Sequence, residues 1–165
     1  VTRALLPALR AASGRIVNIS SISGLVALPG VSGYAASKHA VEAITDSLRV
    51  ELEPFGMHVS AVEPGSIATE IWRKGRERDA ERDAADENSE AGRLYAPVIR
   101  LLRKLNENPR GIPPERVAEV VDDALTSARP DNRYLVGKDA KALALLRKLP
   151  DALRDKMIAA RAWRD

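Results

Sequence analysis

The sequence predicts an α/β domain in which helices cover a parallel sheet, and three observations carry that prediction. Arg15 to Ser20 sets Ile16, Val17 and Ile19 close together, the pattern of a short buried strand. Tyr34 to Glu53 repeats Val41, Ile44, Leu48 and Leu52 at helical spacing, and Pro54 with Gly56 stops the run. Met57 to Val62 is a second strand, ended by Pro64–Gly65. A strand, a long helix and a strand in that order form a βαβ unit. Its strands run parallel and its crossover is right-handed.

The other elements follow in chain order. Val1 to Ala11 puts Leu5, Leu6 and Leu9 on one helical face, and Ser13–Gly14 closes it. Ser21 to Gly33, with Gly24, Pro29, Gly30 and Gly33, is a loop. The long helix carries a second face of small residues, Ala36, Ala40, Ala43 and Ser47, which another helix can approach closely. Thr69 to Gly92 alternates charges and holds few apolar residues beyond Ile71 and Trp72. Opposite charges three or four apart support a solvated helix or excursion there. Leu94 to Leu105 is a more apolar helix. Pro113–Pro114–Glu115 opens another, with Val117, Val120, Val121, Ala124 and Leu125 as its buried stripe. Arg133 to Val136 is a third strand. Two basic helical segments, Asp139–Leu149 and Asp151–Trp163, are separated by Pro150.

Composition narrows the functions available. A chain of 165 residues has room for one domain, and 45% hydrophobic with 30% charged residues is the balance of a folded one. The absence of cysteine excludes a disulfide scaffold and any thiolate metal site. His39 and His58 have no ligand spacing to each other or to a carboxylate cluster, so no metal is expected. The 26 Lys and Arg against 23 Asp and Glu are spread along the chain, and six aromatic residues make no base-stacking platform; nucleic acid is not an expected partner. No apolar run approaches the ~18 residues of a membrane-spanning helix. Leu143, Leu146, Leu149 and Leu153 accompany basic residues in the last segment, a pattern that membrane-surface helices share. Packing on its own domain is the preferred reading. The chain begins with Val1, shows no signal or transit segment, and reads as a piece lacking its upstream part, with a cytoplasmic location expected.

Ligands of open parallel sheets bind beyond the carboxyl ends of the strands. Ser20–Ser21 leaves the first strand there, Tyr34 and Lys38 begin the helix reached from that loop, and Pro64–Gly65 with Thr69 leaves the second strand there. Residues four apart share a helical face, so the Lys38 ammonium can sit beside the Tyr34 phenol. A phenol ordinarily titrates near ~10, and a neighbouring cation favours the phenolate. A hydroxyl such as Ser21 can hold a carbonyl oxygen against that phenol. Such a set can protonate a developing alkoxide or deprotonate an alcohol. It has no electron source, so a hydride donor must come from a cofactor.

The runs Gly14-Arg15-Ile16-Val17-Asn18-Ile19-Ser20-Ser21, Gly24, Pro29, Tyr34-Ala35-Ala36-Ser37-Lys38 and Pro64-Gly65-Ser66-Ile67-Ala68-Thr69 resemble the short-chain dehydrogenases/reductases. Tyr-x-x-x-Lys alone is a weak signal. A serine thirteen residues before that tyrosine, with a Pro-Gly after the next strand, is a strong one. The resemblance is close over residues 1–70 and implies the carboxyl-terminal half of a Rossmann-like, doubly wound parallel sheet. Residues 1–138 would be the partial catalytic domain, 65–112 its substrate loop or lid, and 139–165 a helical extension. The resemblance makes Tyr34 the general acid/base, Lys38 its partner and a ligand of the nicotinamide ribose, and Ser21 the holder of the substrate oxygen. Pro64, Gly65, Ile67 and Thr69 would hold the nicotinamide and its carboxamide. Asn18 matches the family's strand-end asparagine and is read as structural.

The implied activity is NAD- or NADP-dependent interconversion of a secondary alcohol and a ketone or related carbonyl, with a small-molecule substrate. The general character resembles the hydroxysteroid and retinol dehydrogenase branch. In the family the helix beginning at Tyr34 pairs with its copy, so a homo-oligomer is expected of the complete enzyme. Ile71, Trp72, Leu94 and Tyr95 would close over the substrate. The family's amino-terminal motifs, including its Asn-Asn-Ala-Gly segment and helix asparagine, have no match here. The ten glycines contain no Gly-x-x-x-Gly-x-Gly phosphate loop, and the residue that selects NAD or NADP has no match. The alternative reading is a non-catalytic fragment or interaction module.

Overall fold

The computed structural model describes residues 1–69, 89–106 and 111–163. In chain order the elements are α1 (Thr2–Ala11), β1 (Arg15–Ile19), α2 (Ser32–Leu52), β2 (His58–Pro64), α3 (Glu90–Asn106), α4 (Pro114–Thr126), β3 (Arg133–Val136), α5 (Lys138–Leu146) and α6 (Asp151–Ala162). The sheet runs β1-β2-β3 with both pairings parallel, Ile16 beside Val59 and Ala61 beside Arg133. This is the predicted α/β fold. Strand β2 is central and buried from Val59 onward, as expected where helices lie on both faces.

Alternation along the strands assigns the faces. Ile16 and Val59 meet Leu48 and Leu52 of α2, with Leu6 and Leu9 of α1 and Met57 completing the core. Arg15 points the other way and donates from Nη1 to the Ala124 carbonyl of α4 at 3.2 Å. Helix α2 ends where Glu53–Phe55 tightens into a 3-10 turn, and Gly56 reverses the chain at φ 68°. Only glycine holds that left-handed conformation without strain.

Three expectations need correction. Ile19 is 47% exposed rather than buried, because β1 is the margin of the sheet among the described residues. The apolar stripe of α2 does not run its full length. Ile44 is exposed, and the buried positions are Ala35, Glu42, Thr45 and Leu52. Only the last turns of α2 meet an apolar sheet; above them the strands present Asn18, Glu63 and Arg133. In α4, Ala124 is buried but Leu125 is exposed.

Much of the charged segment after Thr69, including Ile71 and Trp72, lies outside the described residues. Leu94 and Tyr95 are exposed on α3. The inner side of α3 packs on the loop before α2, where a side chain at Gly30 would strike Leu102 and Val98. The terminal helices break at Pro150 as the sequence predicts, and α5 stops at Leu146 rather than Leu149. Helix α6 returns to α3, with the Trp163 and Tyr95 ring centroids 6.0 Å apart. No helix among the described residues is long and apolar enough to cross a membrane, and they include no group of three side chains placed to hold a metal ion.

Candidate active site

The first part of the site is the turn after β1. The Ser20 N–H donates to the Val62 carbonyl at 2.8 Å, which holds the end of β1 level with β2. Ser21 follows in extended conformation and starts a 3-10 turn over Ile22–Gly24. Its Oγ accepts the Ser23 N–H at 3.1 Å, so the hydroxyl proton is left to donate elsewhere. The turn lies directly on α2, because Gly24 has no side chain to hold it away. A Cβ there would stand 2.9 Å from Ser20 Oγ, 3.0 Å from Glu42 Cγ and 3.0 Å from the Lys38 carbonyl.

Helix α2 supplies the second part. Tyr34 lies in its first turn, 50% exposed, and Lys38 one turn further on the same face. The Lys38 Nζ is 5.7 Å from the Tyr34 ring centroid and donates to the Ile19 carbonyl at 3.1 Å. One ammonium therefore connects the aromatic ring to the strand end that carries Ser21. Asn18, one residue before Ile19, donates from Nδ2 to Thr45 Oγ1 at 2.8 Å and ties β1 to α2 two turns below Lys38. That is a structural role, as its position suggests.

The loop leaving β2 is the third part, and segments far along the chain fasten it. The Gly65 N–H donates to the Val136 carbonyl at 3.0 Å. The Ser66 N–H donates to Asp139 Oδ2 at 2.7 Å, and a Cβ at Gly65 or at Gly137 would overlap the Asp139 carboxylate. Ile112 brackets the loop from the other side. Its N–H donates to the Ser66 carbonyl and its carbonyl accepts the Ala68 N–H, both at 2.9 Å. These bonds occupy the N–H groups of Gly65, Ser66 and Ala68, and Thr69 donates to the Ile67 carbonyl at 3.0 Å. Among the described residues, the Ile67 N–H has no acceptor. A half-buried loop with one free amide, and a lysine with donors to spare at the end of the neighbouring strand, suit an amide-bearing ring and a ribose. These residues fit the nicotinamide end of a dinucleotide and provide nothing for its pyrophosphate.

Comparison with known proteins places the chain in a family. A family model described as short chain dehydrogenase matches residues 1–80. Mouse retinol dehydrogenase 16 is 38% identical over 169 residues, an alignment that takes in 96% of this chain and 51% of the relative. Human 17-beta-hydroxysteroid dehydrogenase type 6 is 37% identical over 169 residues, 99% of this chain and 53% of the relative. A short chain dehydrogenase from Burkholderia cenocepacia, solved in complex with NADP, superposes with a TM-score of 0.67 at 26% identity, covering 99% of this chain and 53% of that one. The chain belongs to the short-chain dehydrogenase/reductase family. It spans about half the length of the curated relatives it matches.

This short-chain dehydrogenase/reductase chain also carries a buried ionic cluster that sequence reasoning did not find. Arg133, the first residue of β3, bonds from Nη1 to Glu42 and Glu63 and from Nη2 to both oxygens of Asp46 at 2.7 and 2.8 Å. Glu63 precedes Pro64 on β2 and is 1% exposed, while Glu42 and Asp46 lie one and two turns beyond Lys38. Burial pushes the Glu63 carboxyl above its ordinary value. The hydrogen bond from Arg133 opposes the rise, and the neighbouring Glu42 carboxylate adds to it. Burial works against the Arg133 charge, but its bonds to Glu63 and Glu42 outweigh that and hold it cationic. The sequence did contain a signal. A lone carboxyl in the mostly apolar run Val59–Pro64 needs a buried cation or a retained proton, and Arg133 opens the only later strand pattern.

Proposed function

We propose that this chain is the reacting half of an NAD- or NADP-dependent oxidoreductase that interconverts a secondary alcohol and its ketone, or a related carbonyl. The observation that supports it most is the Lys38 ammonium between the Ile19 carbonyl and the Tyr34 ring, at the strand end bearing Ser21. Bound at the rim formed by Lys38 and the Pro64–Thr69 loop, the nicotinamide supplies the hydride that the protein's own groups cannot. Ser21 holds the substrate oxygen with its free proton. Tyr34 gives a proton to that oxygen in reduction and takes it in oxidation, and the Lys38 charge steadies the phenolate. Lys38 retains donors for the ribose. Pro64, Gly65, Ile67 and Thr69 form the wall for the ring, with the Ile67 N–H available to its carboxamide.

In the same proposal residues 1–138 are the reacting domain, 65–112 its substrate-facing segment and 139–165 a helical extension. The exposed small face of α2, Ala36, Ala40 and Ala43, receives a second copy, and the setting is cytoplasmic. The retinol and hydroxysteroid names of the relatives favour a bulky apolar alcohol. The complete enzyme needs a cofactor-binding half placed before residue 1. In that enzyme Tyr34→Phe abolishes turnover, by about a hundredfold or more, and leaves dinucleotide affinity nearly unchanged. Retained turnover refutes the assignment. Residues 1–165 alone, which lack a phosphate loop, bind NAD(H) and NADP(H) weakly; a micromolar dissociation constant would support another mode of binding.

A further inference from the structure

The cluster below the reactive pair is not electrically balanced. Its carboxyls are Glu42 and Asp46 from α2 and Glu63 from β2; its cations are Arg133 from β3 and Arg49 from α2, the latter 2.9 Å from Asp46. The adjacent strand contributes only the uncharged Asn18, and Lys38, one turn above, is engaged with Ile19. Three carboxylates against two guanidiniums leave one negative charge in excess. It falls on the two buried members, because Asp46 is half exposed and has both arginines. Each buried carboxyl bonds Arg133 through one oxygen. The other oxygen, Oε1 of Glu42 and Oε2 of Glu63, is buried without a donor. Both carboxyls accept from the same Arg133 Nη1, which holds them side by side. One proton would remove the excess charge and satisfy both orphaned oxygens.

We propose that Glu42 and Glu63 share a single proton at neutral pH and, clamped by Arg133, act as positioning residues that set the Tyr34–Lys38 helix against the Pro64–Gly65 turn. The inference rests on the function proposed above for Tyr34 and Lys38. Its geometry is direct. Glu42 is one turn from Lys38 and touches the space that Gly24 leaves open beneath the serine turn, while Glu63 is bonded to Pro64. Arg133 fixes both from a third element. Helix and turn thus meet through one carboxyl pair, and burial of Glu63 favours its neutral form. Neither residue touches substrate.

The test compares Glu63→Gln with Glu63→Met in the complete enzyme, with Tyr34→Phe alongside. Glutamine supplies a permanent donor in nearly the same shape, so kcat stays within about threefold of the parent. Methionine keeps the length without the bond; kcat falls about tenfold or more while KM changes little, as expected of misplaced reactive groups. Infrared difference spectroscopy of the unmutated enzyme at neutral pH shows a protonated-carboxyl stretch that is absent from Glu63→Gln. The spectrum needs no turnover, so it decides the shared proton even where Glu63→Met does not fold. Absence of that band, or equal loss of kcat in both variants, overturns the shared proton. Unchanged kcat in Glu63→Met overturns the positioning role. Turnover retained in Tyr34→Phe is the failure of the functional reading instead, and leaves the infrared result standing by itself.

Discussion

Gly24→Ala adds one methyl group at the tightest contact beneath the serine turn. The new carbon would lie 2.9 Å from Ser20 Oγ, 3.0 Å from Glu42 Cγ and 3.0 Å from the Lys38 carbonyl, where ordinary contact begins at 3.4 Å. The shortfall is therefore 0.4–0.5 Å against three atoms at once. The Ser20 hydroxyl can rotate away. The Lys38 carbonyl belongs to the helix backbone, and Arg133 pins the Glu42 side chain, so the turn has to lift by nearly half an ångström. Overpacking of this kind costs about 1–3 kcal/mol. Ser21 moves with the turn, and since a displacement of ~1 Å can cost about a hundredfold in rate, half of that implies roughly tenfold. Urea unfolding gives the first quantity, read as a lower midpoint at constant slope; steady-state kcat/KM of the complete enzyme gives the second. If the alanine variant matches its parent in both midpoint and kcat/KM, the serine turn does not depend on close approach to α2, and the reasoning fails.

Two further outcomes follow from the sheet's carboxyl edge. Burial raises the Glu63 carboxyl above 4.5, so the folded protein retains a proton that the unfolded chain releases between pH 4.5 and the raised value. The proton-binding folded form gains from acid, so this group's contribution to stability declines as pH rises through that interval. Urea midpoints of parent and Glu63→Gln, measured from pH 4.5 upward, should therefore diverge with the parent falling behind; parallel curves would show that the carboxyl is not perturbed. Asp139→Ala removes the acceptor of the Ser66 N–H and of its own helix's Ala140 N–H, at 2.7 and 2.9 Å. The site is exposed, so the expected loss is about 1 kcal/mol of stability, with dinucleotide affinity lowered severalfold in the complete enzyme. Calorimetric titration checks the affinity, and an unchanged value means that the loop keeps its shape without the aspartate.

The βαβ order was legible because its signals are local: a short apolar run, a helical repeat stopped by Pro54 and Gly56, and a second apolar run. The pairing of Tyr34 with Lys38 was legible for the same reason, since a spacing of four decides which side chains share a helix face. Longer-range features were not. Ile19 looked buried from its composition, and only the sheet order shows it at the margin. Ile44 matched the apolar period of α2, yet the helix is turned so that Glu42 and Thr45 face the sheet, because the strands opposite carry Asn18, Glu63 and Arg133. The period reports where apolar residues recur, and a polar seam on the sheet reverses what that recurrence implies. Asp139 through its carboxylate and Ile112 through its backbone act on a loop more than forty residues away, which no local pattern announces.

That last arrangement bears on how the protein is made. Ser66 leaves the ribosome 73 residues ahead of the aspartate that latches it. At roughly 5–20 residues per second, the wait is about 4 to 15 seconds. Until then the β1–α2–β2 core can form and Ile112 can bracket the loop, but the Ser66 N–H lacks its carboxylate. Translation that stalls between Gly111 and Lys138 would release a product with its tyrosine and lysine in register and the Pro64–Thr69 loop unlatched by Asp139.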